Sequence, residues 1–301
     1  MNEQRHQAYL NLINQLLSCN DGDEPRILRE NQVLLDKGLI EIMIAVSQQL
    51  EEAGRKNTAQ WLMNIAQQLA QELRLLAQDY LNFLIETLQK VSENPNPQLI
   101  YPFWAQNLDK LDENLAQILD SWAGEKLTQV TPEQAYSIAA YIVTFSNLIQ
   151  QFPLGNIATN KEIAIKGYEI VLTAVTLNQF PQDLAMVQTN LANAYYGRIR
   201  GERAENLERA IACYQEVLKV SVFDAFSQEW AMVQTNLANA YSERIRGNKA
   251  ENLERAIAYC QEALKVRTFD AFPQEWAMTQ NNLGSAYSSR IRGKRAENLE
   301  L

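Results

Sequence analysis

Phe180, Phe226 and Phe272 stand 46 residues apart, and each opens nearly the same text: FPQDLAMVQTNLANAY, FSQEWAMVQTNLANAY and FPQEWAMTQNNLGSAY. Gly201, Gly247 and Gly293 keep the same period, each preceded by Arg-Ile-Arg, and so do Ala204, Ala250 and Ala296, each opening Ala-Glu-Asn-Leu-Glu. A unit that copies itself at this spacing is one supersecondary element that cannot bury its apolar face alone, so stacked copies must share a core.

Within a unit the spacing predicts two helices and a turn. Helix A starts near Pro181 or Pro273, because proline in the first turn lacks only an N–H that would be unpaired anyway. Its apolar positions Leu184, Leu191, Tyr195 and Ile199 make one stripe on a 3.6-residue helix. Gly201 is expected to end it in the left-handed conformation that residues with a Cβ avoid. Helix B is expected from about Asn206 to Val220, with Leu207, Ala210, Ile211, Tyr214, Val217 and Leu218 inward. Glu205 with Arg209, and Glu251 with Arg255, add i,i+4 support. Leu, Ala, Gln, Glu and Asn dominate the composition and strand-turn signals are few, so the whole chain is expected to be all-α.

Leu191-Ala192-x-x-Tyr195 followed by Ala210-x3-Tyr214-x2-Val217 resembles the tetratricopeptide pattern of small and large residues that lets two antiparallel helices interlock. Leu237-Ala238-x-x-Tyr241 and Leu283-Gly284-x-x-Tyr287 repeat the first half of it. Two departures stand out. The unit exceeds the usual tetratricopeptide length of about 34 residues, and Gln188, Gln234 and Gln280 stand where the family usually has a large apolar residue. The long repeats, with Arg-Ile-Arg-Gly at their corners, resemble the front part of cyanobacterial multi-repeat proteins, many of which carry a caspase-like CHAT protease domain after the repeats. The resemblance implies a solenoid that binds other proteins.

Forty-six residues before Gly201, Tyr214 and Leu191 stand Gly155, Tyr168 and Phe145. The expected organisation is an N-terminal all-helical domain over 1–131, a degenerate repeat over 132–179, repeats over 180–225 and 226–271, and a truncated repeat over 272–301. The last would leave Leu283 and Tyr287 uncovered, so a longer protein is expected. In the N-terminal region, Tyr9-Leu10-Asn11 is echoed by Tyr80-Leu81-Asn82 and Asp36-Lys37 by Asp109-Lys110, which suggests a duplicated four-helix unit sharing its last helix with the first repeat. Loops are expected at Cys19 to Pro25, Gly54 to Asn57 and Asn94 to Pro97.

The chemistry available to an enzyme is thin. His6 is the sole histidine, which removes His-based triads and multi-histidine metal sites, so no catalytic residue, metal or cofactor is expected. No phosphate-binding glycine loop occurs. The formal charge of -9 belongs to the N-terminal region, where residues 1–130 hold 10 Lys/Arg against 18 Asp/Glu, so the clustered basic face that nucleic acid requires is missing. Met1 to Gln7 has no apolar segment behind it and no stretch approaches a membrane span. Cys19, Cys213 and Cys260 read as reduced thiols in a cytoplasmic protein.

Polar residues recurring on helix A are the candidate partner-binding set: Thr189, Asn190, Asn193, Thr235, Asn236, Asn239, Asn281 and Asn282. Related repeat proteins use asparagines on this inner surface to hold the backbone of an extended peptide, and an amide suits that task because it both donates and accepts. The competing reading has Asn190, Asn236 and Asn282 bonding neighbouring hairpins. Arg198, Arg200, Arg244, Arg246, Arg290 and Arg292 recur at the corner, where a planar fork would suit an acidic partner; the alternative is that they pair with nearby glutamates. Trp230 and Trp276 are expected to pack between hairpins. The function expected is a non-enzymatic scaffold that binds a protein or peptide partner, the alternative being a structural or oligomerisation module without a peptide ligand. The sequence names neither the partner nor the oligomeric state.

Overall fold

The computed structural model describes residues 3–174, 181–220 and 227–290, and among these every regular element is helical. The helices are α1 (Glu3–Ser18), α2 (Glu24–Glu30), α3 (Lys37–Glu52), α4 (Lys56–Glu93), α5 (Pro97–Ala105), α6 (Glu113–Gln129), α7 (Pro132–Gln151), α8 (Ile157–Ala174), α9 (Pro181–Tyr196), α10 (Arg203–Val220), α11 (Ser227–Glu243), α12 (Lys249–Leu264) and α13 (Pro273–Ser288). The chain divides into two compact units, Met1–Tyr80 and Leu81–Leu301. This division lies upstream of residue 131, because α6 packs against α8 and so joins the hairpins that follow it.

In the first unit Tyr9, Leu12, Ile13 and Leu16 of α1 close over Ile27, Leu39, Met43 and Leu62. The entry to α3 is fixed by Asp36, whose carboxylate accepts from the Leu39 N–H, the Tyr9 hydroxyl and the Arg5 guanidinium. Asp112 caps α6 in the same way, accepting from the Asn114 and Leu115 N–H groups. Each of these aspartates follows a short 3-10 turn, Gln32–Leu34 or Leu108–Lys110. Asp112, and not Asp109, which lies inside the second turn, thus does for α6 what Asp36 does for α3.

The second unit is a stack of helical hairpins, α7 with α8, α9 with α10 and α11 with α12, followed by α13. Helix α7 starts on a capping box, with Thr131 and Gln134 satisfying each other's backbone N–H. Trp104 is enclosed by Phe145 and Phe152 in edge-to-face contacts at 5.7 and 5.5 Å. At Gly167 any Cβ would meet the Ser146 hydroxyl at 2.1 Å, so α7 and α8 approach closely only because that residue is glycine.

Helices α9 and α11 stop sooner than the sequence suggests. Helix α9 ends at Tyr196, and Arg198 to Gly201 form a non-helical corner. Gly201 and Gly247 do take left-handed backbone, with φ of 76° and 82°, but they close the corner and do not cap the helix. Ile199 therefore leaves the apolar stripe and is 60% exposed, as is its counterpart Ile245 at 61%. Helix α10 begins earlier than expected, at Arg203, and its Leu207, Ala210, Ile211, Tyr214 and Val217 are buried.

Candidate functional site

Helices α7, α9 and α11 are the first helices of successive hairpins and α13 follows them in the row; polar residues on α7, α9 and α11 form a ladder. The Asn147 Oδ1 accepts from the Tyr168 hydroxyl at 2.6 Å and from the Asn190 amide at 3.0 Å. One hairpin on, the Asn193 Oδ1 accepts from the Tyr214 hydroxyl at 2.6 Å and from the Asn236 amide at 3.1 Å. Burial pushes both phenols up from their ordinary pKa, which keeps them protonated and donating.

Each rung thus ties two hairpins together and also fixes which way its amides face. With Oδ1 occupied, Asn193 has its NH₂ left to offer, and Asn193 is exposed. Asn236 spends one N–H on that rung and has its carbonyl left to offer. A donor followed by an acceptor along a row of helices matches the alternating C=O and N–H of an extended peptide. Asn147 was absent from the candidate set, although it lies 46 residues before Asn193 and the period was sufficient to find it.

Two of the expected residues leave the set. Thr189 and Thr235 are 5% and 4% exposed, and their hydroxyls donate back to the carbonyls of Ala185 and Ala231 in the preceding turn. Asn281, at the position equivalent to Thr235, is exposed, and Asn282 is half-buried. Asn239 lacks the phenol that holds Asn193, because Cys260 stands where Tyr214 stands. Among the described residues no hydrogen bond joins Asn239 to Asn282. Beside Asn147 a hollow of about 200 Å³ opens between α7 and α9, with Val143 and Val187 buried in its floor and Met186 exposed at its rim. Tyr136 and Asp183 close one side, the phenol donating to the carboxylate at 2.6 Å.

The corner arginines are already paired. Arg198 donates twice to Glu162, Arg244 twice to Glu208 and Arg290 twice to Glu254, with N–O distances from 2.6 to 3.0 Å. In each pair the glutamate lies in the second helix of the preceding hairpin. Arg200 reaches Glu113 and Thr159, and Arg246 reaches Glu205. These forks join hairpin to hairpin and are spoken for as contacts to an acidic partner; Arg292 lies outside the described residues. A third set of bonds crosses the same seams. The Tyr195 hydroxyl donates to Glu169, while those of Tyr241 and Tyr287 accept from Gln215 and Gln261.

Gln234 is buried, and among the described residues no donor reaches its Oε1 or that of Gln188. Trp276 packs edge-on against Phe269 at 5.3 Å. Burial pushes the Cys213 and Cys260 thiols up to about 11, which keeps them from acting as thiolates at neutral pH. Among the described residues no cluster of His, Cys, Asp and Glu could hold a metal ion, and no helix is long and apolar enough to cross a membrane.

A search of curated proteins finds no match to this chain. The family model of the tetratricopeptide repeat matches residues 184–221 and 230–270, the segments that hold α9 with α10 and α11 with α12. Those two matches and the repeated all-helical fold support a protein of tetratricopeptide type, a class of repeat that generally mediates protein–protein interaction and is typically a non-enzymatic scaffold.

Proposed function

We propose that the row of first helices, α7, α9, α11 and α13, binds an extended segment of a partner protein, and that the chain acts as a non-enzymatic recognition scaffold. The observation that carries this reading is the orientation of the amides. Tyr214 and Asn236 occupy the Asn193 Oδ1 and leave its NH₂ to a partner, and Asn147 repeats the arrangement one hairpin earlier. The register we assign is 132–179, 180–225, 226–271 and 272–301, with the helical region before it as a separate element. A scaffold of this kind is best used as the recognition part of a larger signalling or effector protein in the cytoplasm. Its three cysteines, all free thiols, suit that compartment.

Substituting Asn193→Asp separates binding from packing. Aspartate keeps an acceptor for Tyr214 and Asn236 but removes the NH₂ that a peptide carbonyl would use. Affinity for partners recovered on the wild-type chain is expected to fall at least about tenfold, one to two hydrogen bonds' worth, with the melting temperature nearly unchanged. Undiminished binding to every such partner would favour the architectural reading, in which the ladder serves only to join hairpins.

A further inference from the structure

Arg267 is the one arginine among the described residues whose pKa is pushed down by burial; the others with a resolved shift are raised, led in each case by a hydrogen bond to a carboxylate or phenol. It follows α12 in the turn before α13, with its backbone N–H on the Ala263 carbonyl. Its Nη1 donates to the Thr235 hydroxyl at 3.0 Å and the Thr279 hydroxyl at 3.3 Å. Both hydroxyls spend their own protons on backbone carbonyls, those of Ala231 and Glu275, so they face the guanidinium as fixed acceptors. The guanidinium is therefore held by one nitrogen, and its Nε and Nη2 make no hydrogen bond to any described residue. The exposed Glu275 acts on it electrostatically, and among the described residues no ion pair joins the two.

The repeats show that this is a local invention. Position 267 is Val175 and Ser221 in the preceding units, and position 279 is Val187 and Val233. Arg267, late in the unit 226–271, and Thr279, early in the unit that follows, have no counterparts at the earlier seams. Burial disfavours a cation that lacks an anion, and the coplanar N–H pair of Nε and Nη2, which no described residue accepts from, has the geometry of a carboxylate. A doubly charged group would be opposed by Glu275, which favours a single negative charge.

We propose that Arg267, seated on Thr235 and Thr279, is a binding site for one carboxylate group, supplied by an acidic side chain or a chain terminus of a protein partner. The inference adds a charge to the partner proposed above, but small carboxylates test it whether or not a peptide occupies the row of first helices. The whole chain, labelled with ¹⁵N, is titrated with N-acetylglutamic acid amide, N-acetylalanine and inorganic phosphate, each against sodium chloride of equal ionic strength. The Arg267 Nε resonance and the Thr279 amide should move saturably with the carboxylates, at a midpoint on the order of 10 mM for a single charge-assisted contact. The acetylated amino acid with the lower midpoint identifies the source of the carboxylate. In Arg267→Gln the Thr279 response should vanish while the helical circular dichroism is retained. Shifts no larger than those from chloride, or a response to phosphate alone, would overturn the assignment. Because the wild-type titration is read by itself, a poorly folded variant would leave the result standing.

Discussion

The seam between the α9–α10 and α11–α12 hairpins and the seam between α11–α12 and α13 are written in nearly the same sequence and are joined differently. At the corner they agree. Arg244 grips Glu208 at one seam and Arg290 grips Glu254 at the next, and Tyr241 with Gln215 is repeated by Tyr287 with Gln261. Along the row of first helices they part. The Asn193–Asn236 rung, held by Tyr214, has no counterpart at the later seam, where Cys260 replaces the tyrosine and Arg267 reaches Thr235 and Thr279 instead. Bonds at the corner set how one hairpin stacks on another and are copied without change. The bonds that vary lie along the row of first helices, the part of the array to which we assign the partner.

The two seams should also differ in how much each contributes to folding. Leu237 of α11 is fully buried, whereas its equivalent Leu283 of α13 is half-buried. Leu237→Ala is expected to cost about 3 kcal/mol, near the middle of the range for a buried leucine, and Leu283→Ala about 1 kcal/mol in proportion to the area it hides. Urea unfolding followed by circular dichroism measures both. Equal losses would show that α13 is as deeply enclosed as α11, and the comparison would fail at its base. Next in size is the corner. Arg244→Ala should cost about 2 kcal/mol, the scale of hydrogen bonds to a charged group, and a double-mutant cycle with Glu208→Ala should return a coupling of about 1 kcal/mol. Arg290→Ala should cost somewhat less, since its ion pair is slightly more exposed.

Much of this could be seen in the sequence, because stacking is periodic and periodicity is visible in one chain. The hairpins, the buried Leu191, Tyr195 and Tyr214, and the left-handed glycines at the corners all follow from a 46-residue spacing. The partners of the polar residues were harder to read. Arg198 looks as though it should pair with Glu202 or Glu205 close by, but its carboxylate is Glu162 in the preceding hairpin. A spacing of 36 residues across a seam is set by the tilt of one hairpin on the next, which no local pattern encodes. Thr189 and Thr235 are hard to read for a related reason: a threonine between two asparagine-bearing turns looks polar and available, yet its hydroxyl can satisfy itself on the turn before and go under. Arg267 gave a signal that needed no structure, since it breaks the repeat at a position held by valine and serine. Only the coordinates reveal that Thr279, breaking the repeat twelve residues later, is its seat.

The smallest expected effect is the sharpest test of the conserved corner, because it separates charge from packing. The two bonds from Arg244 hold the Glu208 carboxyl below its ordinary value of 4.5, in spite of the opposing effect of burial. A carboxyl with a depressed pKa in the folded state contributes stability that is fully present above the unfolded value and is lost as pH falls through the folded one. The stability difference between wild type and Arg244→Ala should therefore be constant from pH 7 to about 5 and shrink as the pH drops below 4.5. The Arg244 guanidinium also lies over the Tyr241 ring, its carbon 5.4 Å from the centroid, and that contact does not titrate with Glu208. If urea unfolding of the two proteins gave the same difference at pH 6 and pH 3, the corner would be a packing device in which the charge is incidental. A difference that narrows on acidification would make the ion pair the part of the corner that the repeat preserves.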